Sequence, residues 1–225
     1  MKPVAFPLWR LQFLTGGLCL ITGQLAHFLV GSDLAPIIFW PPAGIALGAA
    51  LVWGLGTIPA AFLGTFASSV LWDMPWQSAV LLGLAAATQA LAGTLLLRRA
   101  GFPNLLSRIS ELLKLGLYGG LIGGGMAAVL TFIALRDVDW FWETTLLRCA
   151  IGVVFAHLLS ALIFAPILIC RRSETCPEPL GSRTEAIVVL FALFVTAMAL
   201  AHPTLLGLPG GVFRPYPLMP FLLWL

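Results

Sequence analysis

Among the polar side chains inside long apolar runs of this sequence, Gln89, Arg148 and His157 stand out as candidates. Polar and ionisable groups in such runs are expensive and are functional candidates first. An imidazole gives and takes protons near neutral pH, so His157 is suited to proton handling or ligand contact. The plainer reading is a neutral ring hydrogen-bonded within a helical bundle, with Ser160 near it on the same helix face. Arg148 either snorkels to an outer interface or pairs with Glu143, Asp137 or Asp139. Nine residues separate Arg148 from His157, which at about 100° per residue places them on opposite helix faces, away from one shared ligand. Gln89, an amide in mid-run, is suited to hydrogen bonds between helices.

The most distinctive local sequence is Phe39-Trp40-Pro41-Pro42-Ala43-Gly44-Ile45-Ala46. Prolines fit the first turn of a helix, where a missing N–H is harmless. Trp40 then falls at a membrane interface, where indole is favoured. A rigid entry beside it also suits a shallow, outward-facing pocket. The candidate functional residues are therefore Trp40, Pro41, Pro42, Gln89, Arg148 and His157. The glycine-rich run 119–125 has no Lys-Ser/Thr and lies in an apolar stretch, which excludes a phosphate loop. The four cysteines form no CxxC pair and no Cys/His spacing, so they read as small packing residues, with no metal site. No catalytic constellation, cofactor motif or nucleic-acid patch is present, and the chain reads as a non-enzyme.

These residues are carried by an unusually apolar chain. Of 225 residues 60% are hydrophobic and 9% charged, and the mean hydropathy is +1.02. Soluble domains carry about 25% charged residues, so a soluble globular fold is excluded, as are disorder and a disulfide scaffold. A helix needs about 20 apolar residues to cross the hydrocarbon core. Seven runs approach or exceed that length, at residues 11–30, 36–53, 57–72, 76–97, 109–135, 143–169 and 185–201. The expected fold is all-α: a polytopic transmembrane helical bundle with seven full spans. An eighth apolar segment, 216–225, has half the needed length and reads as a truncated span, so residues 1–225 are expected to form one incomplete membrane domain. With the N-terminus cytoplasmic, the inner loops hold Lys2, Arg10, Arg98, Arg99, Arg108, Lys114, Arg171, Arg172 and Arg183. The outer loops hold only Arg136 and Arg214. That asymmetry satisfies the positive-inside rule.

Close helix approach in a bilayer relies on small residues. Gly44 and Gly48, Gly64 with Ala60 and Ser68, the row Gly116, Gly120 and Gly124, and Gly152 with Ala156 and Ser160 are spaced for such contacts. They suit internal packing first and a homodimer second.

Trp40-Pro41-Pro42-Ala43-Gly44-Ile45-Ala46-Leu47, followed by Ile58-Pro59-Ala60-Ala61-Phe62-Leu63-Gly64, resembles the first-described class of membrane-associated sensor (MASE) domain. These are integral-membrane input modules of bacterial histidine kinases and cyclic-di-GMP enzymes. The resemblance extends through Leu95-Leu96-Leu97-Arg98-Arg99-Ala100-Gly101-Phe102 and Ala161-Leu162-Ile163-Phe164-Ala165-Pro166. It implies an inner-membrane sensor, in a two-component or cyclic-di-GMP pathway, that relays an unknown signal to a cytoplasmic output domain or a partner membrane protein. Similar domains carry Glu at the position of Gln89 and Gly-Asp at Ala156-His157, so neutral or basic groups stand here in place of acids. The competing expectation is a small transporter or a transporter's membrane subunit, for which the buried polar residues and the glycine-rich fifth run speak.

Overall fold

The structure is a computed structural model that describes residues 7–30, 40–103, 109–136 and 146–172. All of them belong to one packed unit, Met1–Glu174. Every regular element among the described residues is helical. We number them α1 (Leu8–Val30), α2 (Pro41–Trp53), α3 (Ile58–Val70), α4 (Trp76–Arg99), α5 and α6 (Leu146–Arg172). Helix α5 has three consecutive parts, Ile109–Lys114, a π-helical Leu115–Ile122 and Gly123–Leu135.

Three stretches are long and apolar enough to cross a membrane: Trp76–Arg99, Ser110–Leu135 and Gly152–Cys170. They coincide with the fourth, fifth and sixth expected spans. Seven full spans are not found among the described residues: the first expected span, 11–30, forms α1 but is not among these three, and at the second and third α2 and α3 have 13 residues each. At 1.5 Å per residue each reaches about 20 Å, short of the roughly 30 Å core. The ends have local causes. Pro41 and Pro42 fill the first turn of α2, and a residue before proline is kept out of the helical region, so Trp40 sits at φ −123° and ψ 72°. Gly54, at φ 96° and ψ 168°, stops α2 in a conformation that only glycine adopts readily. The expected spans 185–201 and 216–225 lie outside the described residues.

Two helix ends are closed by Schellman hydrogen bonds. At the end of α4, Gly101 N–H reaches Arg98 O at 3.2 Å and Phe102 N–H reaches Leu97 O at 2.9 Å. Gly101 takes the left-handed conformation, and Phe102 and Leu97 share one apolar cluster, the usual companion contact. Lys114 Nζ adds a hydrogen bond to Ala100 O at 3.1 Å, a cation on the negative end of α4. At the end of α3 the same pattern joins Asp73 N–H to Val70 O at 3.1 Å and Met74 N–H to Ser69 O at 3.3 Å. Here an aspartate, at φ 57°, occupies the left-handed position, and the turn fixes the preceding Trp72.

Helix α2 is the centre. It is apolar all round, and every residue from Pro41 to Val52 is buried. It packs on α6, α4 and α1; α3 bridges α1 and α4, and α5 joins α4 to α6. Backbones meet where side chains are smallest. A Cβ at Gly44 would collide with the Ser160 backbone, and one at Gly64 with the Gly16 backbone. At Gly48 it would lie 3.0 Å from Ala165 Cα, and at Gly123 3.1 Å from Gly93 Cα. The polar groups of α1 turn inward, Gln12 Nε2 donating to Gly56 O at 3.1 Å and Gln24 Nε2 to Ser68 O at 2.9 Å. Phe13, Ile21 and Phe28 face outward, the side that a bilayer would cover.

Gly44→Ala is expected to lower the unfolding free energy in detergent or nanodiscs by about 1–3 kcal/mol, because the methyl group meets backbone that cannot rotate away. Gly17→Ala and Gly125→Ala, where an added Cβ meets nothing within 4 Å, serve as controls and should stay within about 0.5 kcal/mol of the parent.

Candidate functional site

Gln89 and His157, read separately from the sequence, meet inside the bundle. Both are fully buried, on α4 and α6. Gln89 Nε2 lies 3.2 Å from Gly119 O, within the π-helical part of α5, and 3.2 Å from His157 O. Carbonyl oxygens only accept, so the amide nitrogen must face them and Oε1 must face the imidazole. Oε1 lies 2.5 Å from His157 Nδ1 and cannot donate, so Nδ1 carries a proton. That leaves Nε2 of a neutral ring as an acceptor, 3.2 Å from Thr131 Oγ1.

Thr131 has one hydroxyl proton and two neighbours for it. Its Oγ1 also lies 3.2 Å from Ala127 O, one turn back on α5. With His157 neutral, the hydroxyl can serve Nε2. With the ring protonated on both nitrogens, Nε2 donates to Oγ1 and the hydroxyl serves Ala127 O. A hydroxyl rotation therefore matches donors to acceptors along the chain in either protonation state. Both arrangements keep α4, α5 and α6 connected.

One turn along α6, Ser160 ties that helix to the first turn of α2. Its Oγ accepts from Gly44 N–H at 2.7 Å and donates to Pro41 O at 3.1 Å. Cys19 on α1 directs its thiol at Pro42 O, 3.6 Å away. Pro41 and Pro42 have no N–H, and Ala43 N–H reaches Trp40 O at 3.2 Å, so no first-turn donor of α2 is left free. The prolines are thus an anchorage for α1 and α6, their carbonyls accepting from Cys19 and Ser160.

Trp40 is 1% exposed and packs with Ala43, Ala156 and Trp72. Its ring meets Trp72 edge to face, centroids 5.3 Å apart, and Trp72 stacks on His27 at 4.7 Å. Among the described residues, Trp40 Nε1, Trp72 Nε1 and His27 Nδ1 are buried without a hydrogen-bond partner. An unmet buried donor or acceptor costs about 1–3 kcal/mol, so three in one cluster mark a place of interest. Sequence reasoning singled out Trp40 but missed His27 and Trp72, which stand at helix ends where aromatic and polar residues are ordinary. The available signal was that both ends and Trp40 share the outer side in the expected topology.

The small residues divide by partner. Gly120 faces Leu158, Gly124 faces His157 Cβ at 2.8 Å, and Gly116 faces Leu162 at an ordinary 3.4 Å, all on α6. Gly119 and Gly123 instead meet Gly93 on α4. Gly152 lies on α6, partly buried. Arg148 belongs to the same helix, and its side chain lies outside the described residues. Among the described residues no group of three or more His, Cys, Asp or Glu is placed to hold a metal ion.

A double-mutant cycle of Gln89→Leu and His157→Leu should give a coupling energy of about 1–2 kcal/mol, the upper part of the range for hydrogen bonds between membrane helices. Additive effects of the two substitutions would show that the contact contributes nothing. Comparison of the chain with models of protein families, with curated proteins and with solved structures returns no match.

Proposed function

We propose that this chain is the membrane-embedded input domain of a bacterial signalling protein. In this reading it sits in the inner membrane with its N-terminus cytoplasmic and crosses the bilayer with α4, α5 and α6. It passes a signal to a cytoplasmic kinase or cyclic-di-GMP enzyme, either covalently linked or carried by a partner membrane protein. The domain itself performs no catalysis. The resemblance of the segment 40–47 to MASE domains supports this reading, since that segment opens the central, fully buried helix.

One observation carries it. Within a single turn, α6 holds His157, bound to α4 and α5, and Ser160, bound to α2. A change at either contact is felt by the same helix. Packed helices respond to such changes by shifts of about 1–2 Å between discrete arrangements. Thr131, with one proton between two acceptors, supplies a local group that changes state without a cavity or a clash.

The test is to fuse residues 1–225 to a reporter cyclase and measure its product in cells over a matrix of pH, salts and solutes. Output should vary at least about threefold between conditions, and Gln89→Leu or Ser160→Ala should flatten that variation while membrane insertion persists. Constant output, together with solute uptake into proteoliposomes that disappears in His157→Ala, would overturn the sensory reading in favour of a transporter.

A further inference from the structure

We infer that the groove between α1 and α3 binds one acyl chain of an anionic phospholipid, with the lipid phosphate at Arg10. The site is separate from the Gln89–His157 chain, and the inference does not depend on a signalling role. The groove has a volume of about 390 Å³ and is walled by Phe13, Gly16, Gly17 and Leu20 of α1 and by Leu63 and Ala67 of α3. That volume falls in the lower part of the roughly 300–1,000 Å³ range of small-molecule sites. Phe13 and Leu63 are 76% and 59% exposed, so the groove opens on a face that a bilayer would cover.

Two neighbouring glycines make the groove. At Gly16 the helices touch through backbone: a Cβ at Gly64 would collide with Gly16, and one at Gly16 would lie 3.1 Å from Ala60 O. Gly17 is different, since a Cβ added there meets nothing within 4 Å. The space is thus left by a missing side chain beside a tight seam, and a larger residue at Gly17 would occupy it. The six walling residues offer water no polar side chain, so hydrocarbon is the better filling.

The chemistry changes at the end nearest the N-terminus. Gln12, the polar member of the lining, donates from Nε2 to Gly56 O at 3.1 Å and keeps Oε1 and its second N–H for other partners. Trp9 meets Phe13 edge to face, with centroids 6.2 Å apart, and the Arg10 guanidinium lies 5.1 Å from the centroid of the Trp9 ring. Arg10 is exposed, and among the described residues no carboxylate pairs with it. Guanidinium suits phosphate, and indole is favoured at the membrane interface. A cation, an amide and an apolar groove thus follow one another in the order of a phospholipid's phosphate, ester and acyl chain. A second copy of this chain is the poorer occupant. A two-fold dimer through this face would set the patch against itself, so that each Arg10 meets its own copy, whereas an anionic lipid supplies the missing counter-charge.

Native mass spectrometry of the whole chain, delipidated in detergent and titrated with phosphatidylglycerol or phosphatidylcholine, tests the site. The first phosphatidylglycerol should bind about fivefold more tightly than the first phosphatidylcholine, and Arg10→Gln should remove that preference. Gly17→Leu should weaken binding of both lipids at least about tenfold, and Ala67→Leu, which fills the groove from the α3 side, should act in the same direction. Gly125→Leu adds the same side chain at an open position outside the groove and should leave binding as in the parent. Parental lipid binding in both Gly17→Leu and Ala67→Leu would overturn the groove as the site. A preference for phosphatidylglycerol that survives Arg10→Gln would overturn the assignment of the phosphate. A dimer that Gly17→Leu converts to monomer, with lipid binding unchanged, would give the groove to a second copy and overturn the proposal.

Discussion

Everything described here depends on how closely α2 and α6 approach. Gly44 has no room for a side chain because the Ser160 backbone lies where its Cβ would be, and Gly48 repeats the contact against Ala165 one turn later. In a bilayer there is no hydrophobic drive between helices, so such contacts must be supplied by dispersion and hydrogen bonds over short distances. The small residues of α2 allow both at once. Backbone meets backbone, and Ser160 Oγ lies close enough to accept from Gly44 and donate to Pro41. Larger residues there would separate the helices and break the hydrogen bonds together.

The enclosure of α2 follows from that approach. A 13-residue helix that is apolar on all sides, and too short to cross the core alone, is placed at the centre with longer helices around it. The polar groups of its neighbours can then be assigned to protein in preference to lipid. Gln24 meets Ser68, Gln89 meets His157, and the outward faces of α1 and α5 keep Phe13, Ile21, Leu117 and Leu121. The His157 chain and the Ser160 anchor lie on one turn of α6, which couples the entry of α2 to the α4–α5 contact.

Hydropathy made α4, α5 and the body of α6 legible in the sequence, because a long apolar run between charged breaks has few alternatives. The expected 109–135 coincides with α5, and the expected 76–97 omits only Arg98 and Arg99 at the end of α4. The lengths of α2 and α3 were not legible. An apolar turn residue and an apolar helical residue score alike, so the run 36–53 took in Trp40, which precedes α2, and the run 57–72 went past the turn that ends α3 at Val70. The proline pair and the Gly44 spacing were visible as signs of a tight helix start. The partners were not: Gly44 and Ser160 are 116 residues apart, and Gln89 and His157 are 68 apart. A single sequence shows that a buried amide and a buried imidazole each need a partner, without showing that they are each other's. His27 and Trp72 escaped notice for a related reason, since their significance lies in hydrogen bonds that are missing.

The enclosure of α2 is tested most directly by labelling from the lipid phase. A carbene precursor carried on a phospholipid acyl chain, activated in nanodiscs and mapped by peptide mass spectrometry, should modify Phe13, Ile21 and Phe28 on α1 and Leu117 on α5, and leave Pro41–Val52 unmodified. Labelling of Pro41–Val52 at the level of α1 would place α2 against lipid and contradict the central position on which the packing of the other helices rests.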